Sequence, residues 1–174
     1  QGFSMYITDQ FESAKRYTVN RYINCSDKKY GVIASSKAAN LIPYGIRNDY
    51  ASTKKLQIQN WYNDENSSPK SCCQLDQVAT EFSCQGLELD FPIIGWGDDL
   101  KWSDNEWKSV SQKHSKAQNP HQLRINSYRV LLTRGRDGFT IFVPSTEEMR
   151  PTYNILIDAG AIPIKAISNN HTNP

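Results

Sequence analysis

The sequence has no long hydrophobic segment and no targeting signal at its start. No apolar run approaches the roughly 18 residues of a membrane-spanning helix, and residues 1–5 show no basic segment followed by an apolar one. Both absences predict a protein of the soluble cytoplasm with no membrane partner. Its 174 residues are enough for one well-buried core and few for two.

Candidate metal ligands are scarce. No C-x-x-C pair of the kind that binds zinc occurs among the four cysteines, which are Cys25, Cys72, Cys73 and Cys84. We therefore expect reduced structural thiols and no metal site. No Cys, Asp or Ser lies at a catalytic spacing from the histidines, which are His114, His121 and His171, so we expect them to be exposed.

A strong excess of charge is also missing. Twenty basic and 18 acidic residues give a formal net charge of +2, far below that of a small dedicated DNA-binding domain. Charge alone does not indicate nucleic acid, so any such function must be argued from motifs.

The first half of the chain alternates strand and helix patterns. Residues 3–8 favour a strand, and Asp9 with Glu12 resembles a capping box that opens a helix running to about residue 23. The continuous apolar run at 30–34 is typical of a buried parallel strand, and a short helical stretch follows to about Leu41. This order predicts an α/β fold with right-handed crossovers.

Two polar excursions interrupt this pattern. The one at about 47–73 is expected to lie on the surface, held by three apolar anchors, Leu56, Ile58 and Trp61. The one at about 97–120 predicts a long loop with a short helix, and packing explains its tryptophans, Trp102 and Trp107, better than a stacking platform does. Beyond them we expect a strand at 139–144, a helix at 151–159 with Pro151 at N1 and Gly160 at C′, and a strand at 161–166.

Two motifs carry chemical information. Residues 78–90, V-A-T-E-F-S-C-Q-G-L-E-L-D, precede an apolar strand and contain a glycine suited to close approach of a ligand. Gln85 and Glu88 flank this glycine as hydrogen-bonding groups. Residues 126–143 contain Y-R-V-L-L-T-R-G and then a second apolar strand.

These motifs resemble those of superfamily 1 helicases, and most closely those of the Schlafen-like DNA/RNA helicase family. The matching segments are E-F-x-C-Q-G-L-E-L-D at 81–90, W-G-D-D-L at 96–100 and Y-R-V-L-L-T-R-G at 128–135, with further similarity at 2–7 and 30–37. The resemblance implies a second RecA-like domain of the P-loop NTPase type, with a mainly parallel central sheet flanked by helices. It also implies a helix at 122–134, although residues 128–132 favour a strand.

The resemblance implies roles for individual residues. Arg134 would be an arginine finger that stabilises charge on the transferring phosphoryl group, although a surface salt bridge is the alternative. Nucleotide contacts would come from five residues, Gln85, Gly86, Glu88, Arg129 and Arg136, of which Gln85 and Glu88 could instead brace a loop. Nucleic-acid contacts would come from Thr80 and from Ser35, Ser36 and Lys37, which follow a parallel strand where open α/β sheets bind ligands; a helix cap explains the serines equally well.

The P-loop pattern G-x-x-x-x-G-K-[ST] and a Walker B strand are absent. In the family they belong to a first motor domain, so we expect residues 1–174 to be one domain of a longer chain and to be inactive alone. ATP and Mg²⁺ would bind only with that N-terminal P-loop domain present, and single-stranded DNA or RNA would be the other partner.

Two alternative functions remain at this stage. A RecA-like scaffold would keep the fold and bind nucleic acid or protein without motor activity. A stand-alone hydrolase or nuclease would need Asp98 and Asp99 to bind a metal, but two neighbouring carboxylates supply too few ligands, and we expect them to be solvated in a loop.

Overall fold

Six parallel strands form the central sheet of the chain, for which a computed structural model describes residues 4–110 and 119–164. The strands are β1 (Ser4–Thr8), β2 (Val32–Ala34), β3 (Val78–Thr80), β4 (Ile93–Gly95), β7 (Gly138–Phe142) and β8 (Ile162–Pro163). Their spatial order is β3-β2-β4-β7-β1-β8. A separate antiparallel hairpin consists of β5 (Leu100–Ser103) and β6 (Glu106–Ser109). The predicted α/β class with a parallel sheet is confirmed and is consistent with a RecA-like fold.

Helices connect and cover the strands. They are α1 (Phe11–Arg21), α2 (Tyr50–Thr53), α3 (Ile58–Asn63), α4 (Pro120–Leu132) and α5 (Arg150–Asp158), with 3₁₀ turns at Ala39–Tyr44 and Cys72–Gln74. None of the helices in the described ranges is long and apolar enough to cross a membrane.

The core follows from the strand sequences. Ile33, Ile94 and Ile141 lie in register on adjacent strands and are fully buried, as is Ile7 opposite Ile141 on β1. Strands covered on both faces need continuous apolar runs, which is the pattern that predicted them. All four cysteines are free thiols, and only Cys25 is not buried.

The start of α1 differs from the predicted capping box. The helix begins at Phe11, and the residue before it, Gln10, makes no side-chain cap. Asp9 lies one residue too early, and the hydroxyl of Thr8 instead accepts the backbone N–H of Gln10 at 3.1 Å. The helix also ends at Arg21, two residues before the predicted end.

The first excursion is anchored as predicted. Trp61 is 1% exposed, and Leu56 and Ile58 pack against the core from partly buried positions. A Cβ added to Gly31, just before β2, would lie 2.7 Å from the Trp61 ring. Trp61 of the excursion therefore packs closely beside the start of β2, where Gly31 has no side chain.

Over its described residues, the second excursion differs from the predicted long loop. Its described part, 97–110, contains the β5–β6 hairpin, because Asp104 and Asn105 adopt positive φ angles of 53° and 61° and form a two-residue turn. Trp102 and Trp107 are cross-strand partners, and Trp107 packs on Trp96 with ring centroids 5.4 Å apart. Packing thus accounts for Trp107, whereas residues 111–118 lie outside the described residues.

The last third largely agrees with prediction. The helix predicted at 122–134 is confirmed as α4, whose packing overrides the strand preference of its β-branched and aromatic residues. In α5, Pro151 is the second helical residue rather than the first, and Gly160 follows the C-cap with φ 107°. The final strand covers only Ile162–Pro163, and residues 165–166 lie outside the described residues.

Candidate functional site

The candidate residues divide between two opposite edges of the sheet. Ser35–Lys37 follow β2 and Thr80 ends β3, so both lie at the carboxyl edge. Glu88 precedes β4, and Arg134 and Arg136 precede β7, so these three lie at the amino edge. Helix α4 runs between the edges, and the eight residue steps from Arg124 to its last residue, Leu132, span about 12 Å of helix.

A buried polar network forms the carboxyl edge. The Ser35 hydroxyl donates to the Asp99 carboxylate at 2.5 Å and accepts a hydrogen bond from the Arg124 guanidinium at 2.8 Å. Arg124 Nε lies 3.1 Å from the same carboxylate. Three chain segments, after β2, after β4 and in α4, therefore meet at one charge-assisted cluster.

The network extends to both sides of Arg124. Glu81, directly after β3, lies 3.4 Å from the guanidinium and accepts from the backbone N–H of Ser36 at 2.8 Å and its hydroxyl at 3.0 Å. On the other side, the Tyr128 hydroxyl donates to Asp99 at 2.6 Å and accepts the N–H of Gly97 at 3.0 Å.

The charged groups of this cluster are almost completely shielded from water. Asp99 and Glu81 are 4% and 3% exposed and share one guanidinium, that of Arg124, which is 8% exposed. Burial, followed by the neighbouring Asp99, raises the pKa of Tyr128 well above its usual range. The expectation that Asp99 is solvated is wrong, since the chain turns it under α4 to meet three partners.

No metal centre is formed from these carboxylates. Asp98 is half-buried, and burial followed by the adjacent Asp99 raises its pKa. In the described ranges, no group of three or more His, Cys, Asp or Glu side chains is placed to bind a metal. His121 is half-buried beside the Ser109 hydroxyl at 3.1 Å rather than exposed, while His114 and His171 lie outside the described residues.

Most candidate residues of the carboxyl edge have their polar groups engaged inside the domain. Ser35 is fully buried, and Ser36 is tied to Glu81. Thr80 is 5% exposed and donates its N–H to the Ser83 hydroxyl at 2.8 Å. Lys37 is exposed, so of the four candidates it is the one whose charge faces solvent.

At the amino edge, the two motifs lie side by side. Arg134 donates to the carbonyls of Val130 and Leu87 and to the Thr133 hydroxyl, each at 3.0 Å. Backbone bonds join Leu89 to both Arg134 and Arg136. These contacts use three of the five guanidinium N–H groups of Arg134 and leave two available.

The remaining amino-edge candidates are on the surface. Glu88 and Arg136 form an exposed ion pair at 2.9 Å, and Gly86 has φ 78° with no atom within 4 Å of an added Cβ. Gln85 is exposed, and Arg129 bonds the Asn126 amide at 3.3 Å on the exposed face of α4. The structure thus joins Glu88, Arg134 and Arg136 through contacts, whereas Arg129 contacts its own helix.

A second charged cluster lies at the amino edge. Lys28 Nζ lies 3.0 Å from Asp90 and 3.1 Å from Asp137, and the Tyr22 hydroxyl donates to Asp137 at 2.8 Å. The Tyr22 hydrogen bond, opposed by burial and assisted by Lys28, lowers the pKa of Asp137. Through Lys28, this cluster connects the segments that lead into β4 and β7.

Sequence analysis did not select Arg124, Glu81 and Tyr128 as site residues, and it placed Asp99 in a solvated loop. The available signal was that polar residues follow three apolar strands, directly at 35–36 and at 81, and after two residues at 98–99. Linking them required knowing that β3, β2 and β4 are neighbours, and Arg124 comes from a helix far along the chain.

Comparison with known proteins identifies a family. The model of the Schlafen group 3 DNA/RNA helicase domain matches residues 1–145. No curated protein and no solved structure matches the chain. The match includes both edge clusters up to and beyond β7, and it suggests a helicase-related function and nucleic-acid binding. The chain therefore belongs to the Schlafen group 3 DNA/RNA helicase domain family.

Proposed function

We propose that the chain is the second RecA-like motor domain of an ATP-dependent nucleic-acid helicase or translocase. It would close on an N-terminal P-loop domain of the same polypeptide around ATP and Mg²⁺. The observation that supports this most is the amino-edge cluster, in which Arg134 and Arg136 lie against the glycine-containing segment 86–88.

The donor set of the amino edge fits a nucleoside triphosphate. Arg134 retains two N–H groups, and guanidinium groups match phosphate oxygens in charge and geometry. The exposed carboxylate of Glu88 can accept hydrogen bonds from ribose hydroxyls once the surface ion pair with Arg136 opens. ATP with Mg²⁺ supplies the phosphoryl group to be transferred, and Arg134 stabilises the charge that develops there, typically by about 10³ to 10⁵ in rate.

The carboxyl edge is the proposed contact with a single strand of nucleic acid. Lys37 offers an exposed cation there, and Ser36 and Thr80 lie at the ends of β2 and β3. Arg124 links this edge to α4, and α4 ends next to Arg134. A shift of the strand-end segments on binding would thus be transmitted along one helix to the finger.

The test is ATP hydrolysis by the full-length protein with and without single-stranded DNA and RNA. Arg134→Lys is expected to lower kcat by a factor of about 10³ or more while nucleic-acid affinity is retained. Arg16→Ala, at an exposed position on α1, is the matched control and should leave kcat unchanged. Turnover unaffected by Arg134→Lys in a variant with a normal melting temperature would refute the finger assignment, and absence of a P-loop upstream would refute the motor.

A second candidate is a nucleic-acid or protein scaffold without motor activity. It is favoured by the way Arg134 binds two backbone carbonyls of its own domain, since this role needs no nucleotide. A scaffold would bind a single strand with equal affinity in the presence and absence of ATP. A motor domain would change its affinity with nucleotide, so the same binding titration separates the two.

A further inference from the structure

A polar groove lies beside β3, the outermost strand of the sheet. A cavity of about 200 Å³ is bounded by Arg47, Lys55 and Gln77. A neighbouring cavity of about 240 Å³ shares Lys55 and Gln77 and adds Gln57 and Lys70. A shallow depression along residues 57–60 continues from Gln57. The second cavity shares Lys55 and Gln77 with the first and Gln57 with the depression, so the three adjoin one another and are here called the edge groove.

Positive charge predominates in the edge groove. Arg47, Lys55 and Lys70 are exposed cations, and Asp76 is the one carboxylate among its wall residues. Lys70 donates to the Gln57 amide at 3.3 Å, a neutral partner. Of the described residues, none forms an ion pair with any of these three cations.

Four other lysines of the described residues differ from these cations in having an ion pair, although Lys37 and Lys54 are also without one there. Lys15, Lys28, Lys101 and Lys108 each lie beside a carboxylate of the same domain. Converging unpaired cations raise the local positive potential and attract an anionic ligand. The edge groove is thus an electrostatic site although the net charge of the chain is only +2.

The other wall residues narrow the class of ligand. Gln57, Gln59, Asn60 and Gln77 present amides that can donate to phosphate and sugar oxygens. The aromatic anchors that dominate protein interfaces are missing from these walls, and the groove is open along its length. A chain of evenly spaced anions fits these features better than an acidic protein surface does.

We infer that the edge groove binds the sugar-phosphate backbone of a nucleic acid through Arg47, Lys55 and Lys70. This contact lies at the amino end of the edge strand β3, because Asp76 and Gln77 line the groove and directly precede that strand; its walls include none of the residues of the arginine cluster or of the carboxyl edge. It is supported by the nucleic-acid character of the family, and it does not require that the chain hydrolyse ATP. The groove binds the backbone without preference for base sequence.

The test is binding of a fluorescein-labelled oligothymidylate to the full-length protein without ATP, followed by anisotropy over a range of salt concentrations. For single strands, log K falls with log salt by about 0.7 per phosphate neutralised. Lys55→Gln with Lys70→Gln should therefore reduce the slope by about 1.4 and weaken binding roughly 25-fold at 0.1 M salt. Both side chains are exposed, so the fold is expected to be unaffected.

Lys54→Gln is the matched control, because Lys54 is the exposed sequence neighbour of Lys55 and its ammonium lies over the Tyr50 ring instead of in the groove. It should leave the salt slope unchanged. An equal loss with Lys54→Gln, an unchanged slope in the double variant, or stronger binding of a polyglutamate peptide than of the oligonucleotide would each overturn the inference. The binding experiment contains no ATP, so its outcome does not depend on whether the chain is part of a motor. If the full-length protein hydrolyses ATP as proposed but the salt slope of the double variant is unchanged, only the inference about the edge groove is refuted.

Discussion

Arg124 has a charge that burial alone would make unfavourable. An isolated guanidinium at 8% exposure would lose most of its hydration, yet Arg124 lies within 3.4 Å of two carboxylates and a hydroxyl. The reverse also holds, because Asp99 and Glu81 are even more buried and share this one cation. The three charges are mutually dependent, so the loss of one is not compensated by water.

Arg124→Ala is expected to destabilise the fold by about 3–5 kcal/mol, because it leaves two buried carboxylates without their cation. Urea unfolding of the wild type and the variant measures the difference. Arg129→Ala, one helical turn further along at an exposed position, is the control and should change stability by less than about 0.5 kcal/mol. Similar losses for both variants would mean that the buried network contributes nothing specific.

Arg134 and Arg124 also show which residues sequence could identify. Arg134 lies inside a continuous motif, T-R-G, so a resemblance over neighbouring positions was enough to select it. The partners of Arg124 come from positions 35, 81 and 99, which are separated by tens of residues. Only the neighbour relations of the strands bring these positions together, and local patterns do not contain them.

At the scale of elements, α4 joins the two edges because of its spacing. Arg124, Tyr128 and Leu131 recur at intervals of four and three residues and form its buried face, whereas Arg129 projects outward. The first half of the helix is held by the ion pair between Arg124 and Asp99, and its middle is held by the Tyr128–Asp99 hydrogen bond. The helix therefore behaves as a rigid connection between the two clusters.

Element prediction succeeded where a single periodicity dominates. The buried strands β2 and β4 are continuous apolar runs, and α4 was identified through the family resemblance. The hairpin was missed because Trp102 and Trp107 lie among charged residues, and its turn residues, Asp104 and Asn105, gave no strong hairpin signal. Asp9 matched a capping pattern, but α1 begins at Phe11 with Gln10 as its N-cap residue, so Asp9 lies one residue too early to cap it.

The contact between Gly31 and Trp61 gives the first excursion its testable feature. A methyl group at position 31 would lie 2.7 Å from the Trp61 ring and 2.9 Å from Cys72 Cβ, so the excursion must move outward. Gly31→Ala should cost about 1–3 kcal/mol by overpacking and increase proteolytic cleavage within 47–73. Limited proteolysis with mass spectrometry gives the cleavage sites.

Gly160→Ala provides the comparison for this prediction. Position 160 has no neighbour within 4 Å, but its φ of 107° strains any side chain. This variant should lose stability without new cleavage in the excursion. If Gly31→Ala leaves the cleavage pattern of 47–73 unchanged, Trp61 is not the contact that secures the excursion.

At the scale of the whole molecule, the common direction of the parallel strands places two different polar clusters at opposite edges of the sheet. Polar residues after the strands form the buried network, and those before the strands form the arginine-rich surface cluster. Parallel strands place all their carboxyl ends at one edge, so this separation follows from the topology. The edge groove lies at the amino end of β3, an edge strand of the sheet, apart from both clusters.

Buried tyrosines determine how the whole fold responds to alkaline conditions. Burial raises the pKa of Tyr17 and of Tyr22 to about 12, in each case as the largest cause, and raises the pKa of Tyr128 well above its usual range. In the unfolded chain these phenols ionise near pH 10. The folded state therefore keeps protons that the unfolded state has lost.

The sign of the pH dependence follows from this difference. The stability that these tyrosines contribute is fully present below pH 10. It decreases as the pH rises from about 10 through about 12, because the unfolded state then binds fewer protons than the folded state. Urea midpoints at several pH values above 9 should fall steadily, with phenolate absorbance appearing together with unfolding. Tyr50→Phe, at an exposed position, should leave the curve unchanged, while Tyr22→Phe should flatten it. The hydrogen bond with Tyr17 lowers the pKa of Tyr6, so phenolate absorbance near pH 10 in the folded protein beyond that of Tyr6 and the exposed tyrosines would contradict the burial of these groups.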